Sequence, residues 1–179
     1  KIRLSVGTVL NMEQIQLHPT VIQEDGTLVS ESLRSKGAII VNTEGKRFVN
    51  DLAGRDVVSQ AELKQPDGYC FIVFDQHLVD GLALAQKFID RGYALSGETY
   101  EELAENMGLT GEAVRNFADT MNTWNESVKK GIDEEFGRNN GMDDDVTTPP
   151  FYAIKIAPGI HHTMGGIKIN TNAEVIDTK

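Results

Sequence analysis

Cysteine is all but absent: Cys70 is the single one in 179 residues, and it lies inside the apolar run "YCFIVF". A disulfide framework or a thiolate metal cluster needs several, so both are excluded and Cys70 reads as a buried structural thiol. Cations are outnumbered, 17 Lys and Arg against 27 Asp and Glu, for a formal charge of −10. Such a surface argues against nucleic acid or an anionic membrane as the main partner, but not against an anionic substrate in a locally basic pocket. Long apolar runs are missing too. None approaches the roughly 20 residues that cross a bilayer, so no direct membrane insertion is expected. The first residues lack the basic, apolar and small-residue order of a secretory signal, which favours the cytoplasm and leaves the periplasm and cell surface open. The abrupt start at Lys1 and the close at "EVIDTK" read as a piece cut from a longer chain. Internal repeats and low-complexity tracts are absent. No serine occupies a G-x-S-x-G elbow, which speaks against a Ser-His-Asp hydrolase. "GGIKIN" follows a turn and enters a strand, the wrong setting for a dinucleotide loop.

What is there suits one globular domain: 40% hydrophobic and 25% charged residues. "MEQIQLHPT" alternates with the period of a strand and is expected to stop at His18-Pro19. In "GAIIVNTEGKRFVN" the apolar runs Ala38–Val41 and Phe48–Val49 flank "NTEG", a hairpin pattern. "RDVVSQAELKQ" reads as a short helix and "YCFIVFD" as a buried strand. From Asp75 to Gly131 the pattern is helical. Thr99 and Glu102 make a capping box, Val114, Phe117, Met121 and Trp124 share a helix face, and Gly131 ends that helix. "IDEEFGRNNGMDDDVTTPP" is a polar loop, after which "FYAIKIAP" and "GGIKINT" return to strands. Strands, then helices, then strands predict an α+β fold.

Polar residues that could carry chemistry are His18, Ser30, Glu31, Arg34, Arg55 and the doubled His161-His162 of "PGIHHTMGG". Arg and His donors clamp carboxylate oxygens, Arg often bidentately. Each also has a plainer reading: His18 as a turn residue before proline, Glu31 and Arg34 as an i, i+3 pair on an exposed turn, Arg55 as a first-turn partner of Asp56. Adjacent histidines on an extended strand face opposite sides and no i, i+4 His pair exists, so no metal site is expected.

Taken in order, "MEQIQLHPT", "SESLRSKGAIIVNTEGKRFVND", "RDVVSQA" and "PGIHHTMGGIKINTNAEVI" resemble the successive blocks of the soluble FAD-dependent fumarate reductases, the flavocytochrome c flavoprotein family that also includes urocanate reductases. The resemblance spans nearly the whole chain. It implies an FAD domain, split in sequence and interrupted by a mobile capping domain that closes over the substrate. Residues 22–150 would be that capping domain; residues 1–21 and 151–179 would be remnants of the FAD domain on either side. The dinucleotide fingerprint would lie upstream and a second substrate arginine downstream, so the chain alone is expected neither to hold FAD well nor to turn over.

The resemblance also distributes roles. His18, assisted by Ser30 where the family usually has threonine, would bind one carboxylate of the substrate, and His161 the other. His162, Gly165 and Gly166 would lie against the flavin, the glycines letting the main chain approach the ring. Arg55 matches the proton donor, with Glu31 and Arg34 its relay to solvent. The implied reaction is hydride transfer from reduced flavin N5 to the alkene of fumarate, with protonation by Arg55, giving succinate. His18 favours fumarate over urocanate, while acrylate- and cinnamate-type 2-enoates remain alternatives. Implied partners are the dicarboxylate substrate, the rest of the FAD domain and an electron donor, whether haem, an FMN domain or a soluble carrier. A rival reading is a non-catalytic module that captures a carboxylate or a protein.

Overall fold

The computed structural model describes residues 7–176. Its strands are β1 (Val9–Leu10), β2 (Ile15–Val21), β3 (Ile39–Val41), β4 (Cys70–Asp75), β5 (Ala94–Gly97), β6 (Phe151–Thr163) and β7 (Gly166–Ile167). Its helices are α1 (Ser32–Ser35), α2 (Arg55–Glu62), α3 (Gln76–Gly81), α4 (Ala83–Asp90), α5 (Tyr100–Asn106) and α6 (Glu112–Lys130). All strand pairings are antiparallel, as the expected α+β class requires.

The centre is a sheet buried on both faces. Alternate residues of β3, β4 and β6 feed two separate cores. Ile40, Ile72, Phe74 and Ile154 pack with Leu33, Val58 and Phe88; Ile39, Phe71, Val73 and Ala153 pack with Leu103, Phe117, Met121 and Trp124. Two covered faces are why β4 reads "CFIVF" without polar alternation. On one side lie α1 to α4, on the other α5 and α6. The ends of α5 and α6 follow local rules. Thr99 accepts from the Glu102 amide at 3.1 Å. Gly131 closes α6 in the left-handed region, φ 68°, and the Ile132 amide reaches back to the Ser127 carbonyl, as in a Schellman cap.

The thirteen-residue β6 organises the rest. Its first half, Phe151–Ile154, lies between β4 and β5; its second half, from Ala157 to Thr163, pairs with β2. Three sequence expectations need correction. β2 does not stop at His18-Pro19 but runs on to Val21, because the register against β6 shifts between His18 and Val21 and so accommodates a residue with no amide donor. "NTEG" does turn, with the Asn42 amide bonded to the Lys46 carbonyl at 2.9 Å, but Phe48–Val49 forms no strand; β3 pairs with β4 instead. Within the stretch read as helical, Ala94–Gly97 is a strand on β6.

Loop 132–150 is anchored by buried charge. The Arg138 guanidinium donates to the carbonyls of Ala38 (2.9 Å) and Arg34 (2.5 Å) and lies 4.5 Å from the centroid of the Trp124 ring. Arg47 covers the same indole at 4.7 Å. Between them, Asp51 receives Arg47 at 2.7 Å and Arg138 at 3.4 Å and also accepts the Ile40 amide at 2.7 Å.

Candidate active site

The site grows from β2, the turn before α1, and the first turn of α2, which packs against β2. His18 is fully buried. Its Nδ1 accepts the Thr20 amide at 3.3 Å, while the Thr20 hydroxyl donates to the Val29 carbonyl at 2.5 Å. An acceptor Nδ1 places the ring proton on Nε2. That Nε2 lies 3.2 Å from Glu31 Oε1 but out of line for a well-formed hydrogen bond, so the carboxylate satisfies it poorly. Burial lowers the His18 pKa despite the neighbouring Glu31 carboxylate, and Arg55 and Arg34 press the same way. The imidazole is a neutral donor.

Glu31 precedes α1 and joins His18 to Arg55. Arg55 Nε donates to the same Oε1 at 2.5 Å, and its Nη1 donates to Gln16 Oε1 at 2.8 Å. Burial raises the Glu31 pKa, but the Arg55 hydrogen bond, the hydrogen bond from its own amide and the Arg55 charge outweigh it and hold the carboxyl at about 2. Ser30, half-buried, accepts the Ser32 amide at 3.2 Å beside this carboxylate. Arg55 and Gln16 line a cleft with Leu17, Asp56, Gln60 and Met164. The lining carries one cation, Arg55, and one anion, Asp56, and Arg55 is itself paired with Glu31.

The doubled histidine departs from the expected strand geometry. Gln16 pairs with His162 and Leu17 with Ile160, so His161 is an extra residue, a β-bulge. The bulge breaks the alternation. Instead of facing opposite sides, the two imidazoles stand with centroids 5.1 Å apart, and His161 lies 5.4 Å from the His18 ring. His161 is exposed and borders a depression with Val21, Leu28 and Gly159, separate from the Arg55 cleft. His162 is also exposed, with Nδ1 2.9 Å from the Thr163 carbonyl.

Two further expectations change. Arg34 is not an exposed partner of Glu31 with access to solvent: it is 1% exposed and donates to the Asp51 carbonyl at 2.5 Å. Gly165 does not leave its open side for a ligand, since a Cβ there would collide with the Leu10 and Asn11 carbonyls, whereas a Cβ on Gly166 meets nothing within 4 Å. Sequence reasoning missed Gln16 and Thr20. Gln16 stands two residues before His18, where period-two spacing could have found it; Thr20 lies within the register shift after His18, which spacing does not show. Among the described residues, no group of three His, Cys, Asp or Glu gathers as a metal site would.

The geometry finds counterparts among known proteins. The chain is 44% identical to the NADH:fumarate oxidoreductase of Klebsiella pneumoniae (strain 342), over 98% of this chain and 18% of that protein. It superposes on the open conformation of a flavocytochrome c3 fumarate reductase with a TM-score of 0.85 at 39% identity, covering 97% of this chain and 30% of the other. A solution structure of the fumarate reductase flavoprotein subunit from Lactobacillus plantarum matches with a TM-score of 0.58 at 26% identity, over 79% of this chain and 98% of that one. The chain spans between about a fifth and a third of the length of the curated fumarate reductases it matches. The model describing an FAD binding domain matches residues 1–179, and with the whole chain so matched the protein belongs to the FAD binding domain family.

Proposed function

We propose that the chain is the substrate-gripping part of an FAD-dependent 2-enoate reductase that converts fumarate to succinate. The observation that carries this reading is the buried, poorly satisfied Nε2–H of His18, set beside the Arg55–Glu31 pair whose arginine lines the cleft. A buried donor with a poorly aligned acceptor is costly, and a substrate carboxylate supplies a better one.

On this reading residues 22–150 form the capping domain, with 1–21 and 151–179 belonging to the FAD domain. The solution structure of a chain that this one covers almost end to end supports a unit that folds by itself. The flanking segments carry much of the exposed apolar surface: Val9, Leu10, Met12, Ile15, Ile160, Met164, Ile169 and Val175. The rest of the FAD domain would cover it. The ribbon from the second half of β6 into β7 fits one edge of a flavin, because His162 and Gly166 are open and Gly166 presents bare backbone.

Reduced FAD, when bound, supplies the hydride. The chain's own residues do the rest. His18 donates Nε2–H to one carboxylate, helped by Ser30, and His161 approaches the other end. Arg55, held by Glu31 and Gln16, stabilises negative charge building on the alkene carbon and gives it a proton; that carbon is basic enough to take one even from a guanidinium. Glu31, ionised at neutral pH, is placed to pass a proton back to Arg55. Closure of the cap would expel water from the cleft.

The test is turnover of the full-length protein with a reduced dye and fumarate, urocanate, acrylate or cinnamate. Fumarate is expected to be the best substrate, and an inert fumarate would overturn the reading. Arg55→Ala is expected to abolish turnover with FAD content intact.

A further inference from the structure

Behind the cleft, α2 carries its polar row inward. Arg55, Ser59 and Glu62 stand at i, i+4 and i+7, one face of the helix. Ser59 is fully buried and Glu62 is 1% exposed, and neither the hydroxyl nor either carboxylate oxygen has a hydrogen-bond partner. On α1, Arg34 uses Nη1 on the Asp51 carbonyl and leaves Nε and Nη2 unmatched, as is the Ser32 hydroxyl. The charges of Arg34 and Glu62 act on each other, yet no direct hydrogen bond joins them. Buried polar atoms in such number are rarely unsatisfied in a folded protein. Unmatched hydroxyls, a carboxyl and a guanidinium gathered in a core are groups that ordered water can join.

We propose that Glu62 is the inner proton store of this site, coupled through ordered water and Arg34 to Glu31 and so to Arg55. The proposal rests on Arg55 being the acid, and it extends the line from Arg34 into the core. Burial pushes the Glu62 carboxyl up to about 8, against the pull of Arg34, so it holds its proton at neutral pH. The titratable neighbours are Arg34 from α1 and Cys70 from β4, whose thiol is pushed up by burial and by Glu62. Once Arg55 has protonated the substrate carbon, the Glu62 O–H bond breaks and an Arg55 N–H bond forms. Arg34 and Glu31 each give and regain one proton between them. The net change is one proton moved and no electrons, leaving a Glu62 carboxylate in the field of the Arg34 cation until solvent returns the proton.

The experiment compares the full-length, FAD-loaded parent with Glu62→Gln, Glu62→Asp and Arg55→Ala in dye-driven fumarate reduction. For Glu62→Gln, kcat is expected to fall about tenfold with KM and the rate of flavin reduction unchanged. The parent's kcat is expected to decline as pH rises through about 8, a limb that Glu62→Gln loses and Glu62→Asp keeps. A parent-like kcat and pH profile in Glu62→Gln, with Arg55→Ala inactive, would overturn the proton store and leave the Arg55 reading standing. Activity retained in Arg55→Ala would remove both.

Discussion

A carboxylic acid that stays protonated in the folded chain ties stability to pH. Glu62 moves from the ordinary 4.5 when unfolded to about 8 when folded, so the native state binds an extra proton between those values. The stability this contributes is complete below about pH 4.5 and drains away as pH climbs through 8. Glu62→Gln removes the drain. Its melting temperature is expected to exceed the parent's at pH 9, by the equivalent of a few kcal/mol, and to vary less from pH 5 to 9; thermal melts in a buffer series measure it. Glu31 runs the other way: its carboxyl is held at about 2 against 4.5 unfolded, so its contribution is present above about 4.5 and is lost as acid takes pH through 2. The two glycines of the ribbon separate in the same spirit. Gly165→Ala must push the Leu10–Asn11 backbone aside and is expected to cost about 1–3 kcal/mol in urea unfolding. Gly166→Ala, with open space around its Cβ, is expected to leave stability unchanged and to lower FAD content in the full-length protein. At this scale the sequence was legible where spacing speaks, as for His18 and Gln16. It was silent on Arg34 and Glu62, because nothing in "SLRS" or "QAEL" distinguishes a charge on an exposed turn from one that packing has covered.

Elements show where local signals suffice. β4 and α6 were readable because each is long enough to display its period, and Gly131 and Thr99 mark ends by chemistry that needs no tertiary partner. β5 was hidden since "ALSG" is short and half exposed, and only pairing with β6 makes it a strand. Loop 132–150 reads as solvated, yet it inserts Arg138 beneath α6 to share the Trp124 face with Arg47. Among the described residues Asp51 is the one carboxylate that contacts both guanidinium groups, while Arg47 also pairs with buried Asp133 at 2.9 Å. Asp51→Ala therefore leaves Arg47 with Asp133, Arg138 with carbonyl acceptors only and the Ile40 amide without its acceptor, and is expected to destabilise the chain by about 3 kcal/mol. Denaturant unfolding checks this, and a loss below about 1 kcal/mol would show that the network contributes little.

For the molecule as a whole, the proposed division assigns most of the two cores to a cap, with the first half of β6 crossing from the FAD domain into both of them, and the open flanks to a larger FAD domain. The purified chain is then expected not to take up FAD in stoichiometric amount, whereas the full-length protein does. Flavin absorbance after gel filtration reads the ratio, and tight one-to-one uptake by the chain alone would overturn the division. The order of the motifs is what suggests this division in the sequence. The bulge at His161 was not, because it exists only through the pairing of residues more than a hundred positions apart.

Strand β6 leaves the central sheet and reaches the doubled histidine without an intervening loop. If the proposed cap turns about its flanks, the motion reaches His161 as twist along this one strand, with the bulge at His161 as the joint that takes it up. Gripping the substrate and swinging shut would be one movement, driven from the same strand.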